Sequence, residues 1–195
     1  MKIGFLTDKN GYRAPIHPES IEKYSLDVHL EKDIFDYLKY SESIQNNVKT
    51  ISKVSDLDIV ACVENIEDKK IKDLKEGAIL IGIFDFEKIE DIKNLRPDIK
   101  ILSFFKLPRI SRAQNLDALS SQANLLGYAS VLRAAKETSD VVPMMTTAAG
   151  NIQPSKVLIL GVGVAGLQAI ATAKRLGAEY GLLILEKKPR TKWSL

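Results

Sequence analysis

One short stretch constrains the fold more than any other. Residues 156–160 read Lys-Val-Leu-Ile-Leu, residues 161–166 read Gly-Val-Gly-Val-Ala-Gly, and an alanine-rich segment then runs to Leu176 and stops at Gly177. An unbroken apolar run of this length suits a strand buried on both faces. In the turn that follows, Gly161 permits a tight reversal, Gly163 lets the backbone approach a pyrophosphate, and Gly166 allows a helix to pack closely on the strand. The helix read over Gln168–Leu176 would turn its N-terminal amides toward the phosphates. Gly161, Gly163, Val164 and Gly166 are therefore candidate cofactor-binding residues. The bare pattern also fits a glycine-rich strand-to-helix turn without a ligand, but the strand before it and the helix after it favour a dinucleotide.

Upstream, short Val- and Ile-rich runs recur at 3–6, 58–63, 78–84 and 99–105, separated by charged segments long enough for one helix each. That alternation predicts an α/β chain with a mostly parallel sheet. Pro18 followed by Glu19 marks a helix start over 18–24, with the acid beside the positive end of the dipole. Residues 40–55 are polar without a clean period and read largely as loop.

From 116 to 136, Leu119, Ala123, Leu126, Tyr128, Val131, Leu132 and Ala135 recur at helical spacing, which predicts a helix with one broad buried face. Val141-Val142-Pro143 and the segment 150–154 bracket a turn-rich linker. The boundary falls near Met145. Residues 1–145 would form an N-terminal α/β domain, and 146–195 the first strand-helix-strand unit of an incomplete Rossmann domain.

A net charge of +3, from 28 basic and 25 acidic residues, leaves no basic stripe and points away from nucleic acid and anionic lipid. No apolar run approaches the ~20 residues of a bilayer crossing, and no signal-peptide pattern opens the chain, so a cytoplasmic location without membrane insertion is expected. Cys62 is the single cysteine and lies in an apolar run, as a buried thiol in a reducing compartment would. His17 and His29 lie early in the chain, where surface or capping roles are expected.

Residues 108–128 set Arg109, Ser111, Arg112, Gln114, Asp117 and Ser120 ahead of Tyr128 on the predicted helix. On composition alone this reads first as a solvated loop whose Asp117 caps a helix. Amide and guanidinium groups would also suit a nicotinamide, whose carboxamide both donates and accepts hydrogen bonds.

The loop resembles the nicotinamide-binding loop of the NAD(H)-binding component of proton-translocating NAD(P) transhydrogenase, in the alanine dehydrogenase/transhydrogenase superfamily. Arg109, Gln114, Asp117, Ser120 and Tyr128 match that family's residues in type and spacing, and the likeness runs from Glu76 to Ala178. It implies that Arg109, Ser111, Arg112, Gln114, Asp117, Ser120 and Tyr128 contact NAD(H), with Gln114 and Asp117 nearest the chemistry. Arg13, within Gly11-Tyr12-Arg13-Ala14, is a weaker site candidate, because that stretch otherwise departs from the family. The resemblance further implies hydride transfer from NADH to NADP⁺ on a partner component, coupled to proton translocation. Implied with it are a homodimer and membrane-embedded partners that hold the chain at the inner membrane.

Two departures qualify that expectation. The family's aspartate at the end of the second strand is Ile184 here, with Glu179 before the presumed strand and Glu186 beyond it. Restoring one base after Glu179 yields a family-like tail, so a frameshift and a shortened chain of low or no activity are expected, natural divergence being the alternative. The rival reading is an alanine dehydrogenase, whose lysine and histidine would fall near Val63-Glu64-Asn65 and Phe84-Asp85 and are missing. A non-catalytic, degenerate subunit is the other.

Overall fold

The computed structural model describes residues 1–8, 13–23, 27–34, 48–108 and 110–183. Arg109, the first half of the polar stretch 40–55, Ile184, Glu186 and Trp193 lie outside them. The described chain forms two compact units, Met1–Asp117 and Ala118–Leu195. This division differs from the boundary near Met145 by one long helix, which packs within the second unit.

The first unit is a six-stranded parallel sheet. Its strands are β1 (Lys2–Phe5), β2 (Asp27–Leu30), β3 (Lys49–Thr50), β4 (Ile59–Ala61), β5 (Ile79–Gly82) and β6 (Lys100–Ser103), in the order β3-β2-β1-β4-β5-β6. The apolar runs at 3–6, 58–63, 78–84 and 99–105 supply β1, β4, β5 and β6 as expected. Strands β2 and β3 carry no such signal. Asp27-Val28-His29-Leu30 alternates polar and apolar, and only Val28 and Leu30 are buried, so it lacks the continuous apolar run that marks the others. Helices α1 (Pro18–Lys23), α2 (Asp68–Lys72) and α3 (Phe86–Leu95) connect the strands.

The side chain of Asp85 caps α3 by accepting from the Lys88 amide at 2.8 Å, and Ile89 and Ile92 point into the core. One core cluster joins Leu6, Val60, Ile71, Leu80, Phe84 and Ile92; a smaller one joins Val28, Leu30 and Ile34. Cys62 is buried in the first, in agreement with the sequence reading.

The second unit holds α4 (Ala118–Glu137), a hairpin of β7 (Met145–Thr147) and β8 (Gly150–Ile152), then β9 (Lys156–Leu160), α5 (Val164–Arg175) and β10 (Glu179–Leu183). Strands β9 and β10 pair in parallel, from Lys156↔Glu179 to Leu160↔Leu183. This is the strand-helix-strand unit that the glycine pattern predicts. Glu179 is the first residue of β10, one place inside the strand it was expected to precede.

At the end of α5, Gly177 takes φ 83°, its N–H donates to the Lys174 carbonyl and the Ala178 N–H to that of Ala173. That is a Schellman stop, and the positive φ is why glycine sits there. The hairpin replaces what sequence alone reads only as a linker.

Helix α4 departs from expectation. It forms over the predicted span, but its broad buried face does not: Gly127 and Val131 are buried, whereas Leu126 (61%), Tyr128 (48%) and Leu132 are exposed. The reason is the narrow seam along which α4 meets α5. At Gly127 the helices approach main chain to main chain, where a Cβ would stand 2.1 Å from the Ala165 carbonyl oxygen. So close a crossing buries a strip, not a face.

Candidate functional site

The glycine turn adopts the geometry its spacing predicts. Gly161 has φ 96°, in the left-handed region where a Cβ is disfavoured. A Cβ on Gly166 would stand 2.1 Å from the Gly161 carbonyl oxygen, so only glycine lets α5 begin this close to the end of β9. Gly163 differs from both, since its φ of −67° is one any residue adopts and nothing lies within 4 Å of where its Cβ would be. Protein packing does not demand glycine at 163. Space beside the backbone is what glycine leaves there.

Gly163 is also the N-cap of α5, with no side-chain cap, and its carbonyl accepts the first helical bond from Leu167 at 2.9 Å. Among the described residues no side-chain cap meets the first-turn amides, which can serve an anion. An uncapped twelve-residue helix behind an open glycine is a cradle that fits a diphosphate.

The polar loop forms a 3-10 turn, Ser111–Leu116, ending at Asp117, whose N–H donates to the Gln114 carbonyl at 3.2 Å. Ser111, Arg112 and Gln114 are exposed, and Asp117 is half-buried. These belong to the first unit; Ser120, half-buried, and Tyr128 stand on α4 in the second. Arg109 lies outside the described residues. His17 is exposed and its Nδ1 accepts from the Glu19 amide at 3.4 Å, a helix-start role, while His29 lies on β2 against Asp27.

A further polar cluster sits where the sheet order turns, at the C-terminal ends of β1 and β4. The Arg13 guanidinium donates to both Glu64 oxygens, Nη1 to Oε1 at 3.0 Å and Nη2 to Oε2 at 2.9 Å, and Nη2 also reaches Asp8 Oδ2 at 2.9 Å. The Glu64 bonds, with help from Asp8 and against the cost of burial, hold Arg13 more firmly protonated than a free arginine.

Beside it, Glu31 accepts from the Thr7 amide and from Lys70. Burial pushes the Glu31 carboxyl up, but Lys70 and Thr7 outweigh it and the net shift is downward. Burial, reinforced by the Asp8 charge, pushes the Cys62 thiol up to about 12.

Sequence reasoning keeps Arg13 as a weak candidate but misses Asp8 and Glu64 as its partners, since no local pattern links the three positions. It also passes over Gly127, whose signal was available: a glycine inside a helical pattern usually has a packing reason.

An apolar groove of about 470 Å³ in the second unit, lined by residues such as Val131, Ala134, Val157 and Ala169, contains none of the predicted site residues. Among the described residues no group of three His, Cys, Asp or Glu side chains could hold a metal, and no helix is long and apolar enough to cross a membrane.

The chain is similar to several known proteins. A family model described as the C-terminal domain of alanine dehydrogenase/PNT matches residues 130–193. An NAD(P) transhydrogenase subunit alpha protein of Rickettsia prowazekii is 41% identical over 208 aligned positions, covering 96% of this chain and 54% of that protein. The protein of the same name in Rhodospirillum rubrum is 51% identical over 108 positions, 54% of this chain and 28% of its own length.

The crystal structure of a transhydrogenase from Sinorhizobium meliloti superposes with a TM-score of 0.86 at 31% identity, over 96% of this chain and 57% of that one. An L-alanine dehydrogenase, at 0.72 and 19%, shares the fold, with 93% of this chain and 54% of that one covered. The chain thus spans about half the length, or less, of the relatives it matches.

Proposed function

Given that this chain belongs to the alanine dehydrogenase/NAD(P) transhydrogenase family, we propose that it is the NAD(H)-binding part of a transhydrogenase alpha subunit. The observation that carries the proposal is the cradle at Gly163, open beside the backbone and backed by the uncapped start of α5. Gly161, Gly163, Val164 and Gly166 receive the diphosphate through main-chain amides. Arg109, Ser111, Arg112, Gln114, Asp117, Ser120 and Tyr128 are the side chains we assign to the nicotinamide, with Gln114 and Asp117 orienting it.

When bound, NADH supplies a hydride from its nicotinamide C4 to the nicotinamide of NADP⁺ on a partner component. The work left to this chain is to hold a ring at the right distance and angle and to keep water away, for which amide and hydroxyl groups suffice. No residue here needs to take up a proton at the reacting carbon. In the whole assembly, NADP(H)-binding and membrane-embedded components would complete the reaction and couple it to proton movement, with a second copy of the chain forming a dimer.

The alanine dehydrogenase reading is less well supported. The positions where a proton-accepting lysine or histidine would be expected carry Glu64, which is paired with Arg13, and Asp85, which caps α3. Titrating NADH into the full chain and following nicotinamide fluorescence tests the proposal. Saturable binding that weakens on Gly163→Val supports it. Absence of binding by the folded chain overturns it in favour of a non-catalytic subunit.

A further inference from the structure

The turning point of a doubly wound parallel sheet, outside the C-terminal ends of the strands, is where such sheets usually receive ligands. In the first unit that place holds Asp8, Arg13 and Glu64. A guanidinium is a planar fork whose geometry matches a carboxylate taken two-handed. Here that fork is already filled. Glu64 engages both terminal nitrogens at 3.0 and 2.9 Å, as an incoming carboxylate would, and it is tethered, so a free acid must compete with a partner that never diffuses away.

Two further observations point the same way. Asp8, whose side chain is 2% exposed, holds the same guanidinium, which leaves one positive and two negative charges and a field that opposes a further anion. Its other oxygen, Oδ1, is buried with no hydrogen-bond partner among the described residues, an unused acceptor that repels an acid, while Glu64 already takes the pair of terminal nitrogens that an acid would grip end-on. Access is not what keeps acids out: the side chains of Arg13 and Glu64 are 33% and 42% exposed.

We propose that Glu64 is the specificity-determining residue of this crevice: its carboxylate occupies Arg13 and closes the site to small carboxylic acids, amino acids and 2-oxo acids among them. The inference goes beyond the nucleotide reading. It uses none of that reading's residues and is tested with no nucleotide present, so either can fail alone.

The probe is acetate, the fragment that Glu64→Ala removes. It is titrated at constant ionic strength into the wild-type chain, Glu64→Ala and Glu64→Gln, each checked for folding by circular dichroism, while the Arg13 side-chain NMR signals are followed. Wild type should show no saturable change. Glu64→Ala should bind with a Kd on the order of millimolar, and Glu64→Gln more weakly but saturably. Should the alanine variant fail to fold, the glutamine variant, which keeps the volume without the charge, decides the outcome. Wild-type binding within about threefold of the variant overturns the proposal, as does a folded variant that does not bind.

Discussion

Gly127→Ala would invert the usual effect of this substitution. In the interior of an exposed helix, replacing glycine by alanine gains about 1 kcal/mol, because alanine loses less backbone entropy on folding. At position 127 the new Cβ would lie 2.1 Å from the Ala165 carbonyl oxygen, 2.9 Å from its carbonyl carbon and 3.1 Å from its Cα. The first distance falls 0.9 Å short of the 3.0 Å that real contacts respect, and every atom in the way is main chain, so no side chain can swing aside. The two helices must part instead, opening the strip that buries Gly127 and Val131.

Overpacking of this kind costs about 1 to 3 kcal/mol, and with a rigid obstacle the upper half of that range applies. Set against the propensity gain, the net loss is about 1 to 2 kcal/mol. For a chain of this size that lowers the melting temperature by about 2 to 8 °C. Thermal unfolding and urea unfolding, both followed by circular dichroism, measure it. Since Ala165 opens the first turn of α5, NADH affinity should fall in the same variant. A Gly127→Ala protein more stable than wild type by the ~1 kcal/mol of intrinsic propensity would refute the close crossing.

Gly163→Ala should separate binding from folding: nothing lies within 4 Å of the new Cβ, so the melting temperature should change little while NADH affinity drops about tenfold or more, by isothermal titration. Glu31 has a folded pKa below its ordinary value, so its contribution is present above the unfolded carboxylate range and is lost as pH falls through the lower folded value. Urea midpoints measured downward from about pH 6 should therefore fall less steeply below about pH 4.5 in Glu31→Gln than in wild type. Cys62, buried with its thiol pushed up to about 12, should resist a thiol reagent at about pH 8 in the native chain and react promptly in denaturant.

The elements read most clearly from sequence are those whose cause is local. The glycine turn, the stop at Gly177 and the apolar runs of β1, β4, β5 and β6 each depend on residues within a few positions of one another. Where the cause is not local, the sequence is silent or misleading. Strand β2 lacks a continuous apolar signal and draws its place from pairing with β1 on one side and β3 on the other. The outward side of α4 carries leucines that helical spacing assigns to a core, because periodicity reports which residues share a side and not whether anything covers it.

By itself, the amino-acid order determined the α/β alternation and a turn able to cradle a diphosphate, since φ preferences, helix stops and strand patterning act over a few residues. Only the tertiary structure decided that Arg13 meets Glu64 across 51 positions, because the parallel register of β1 and β4 brings their ends together. It alone turned Gly127 from a weak point in a helix into its contact with α5. Both are consequences of which main chains approach one another, a quantity that no single stretch of sequence carries.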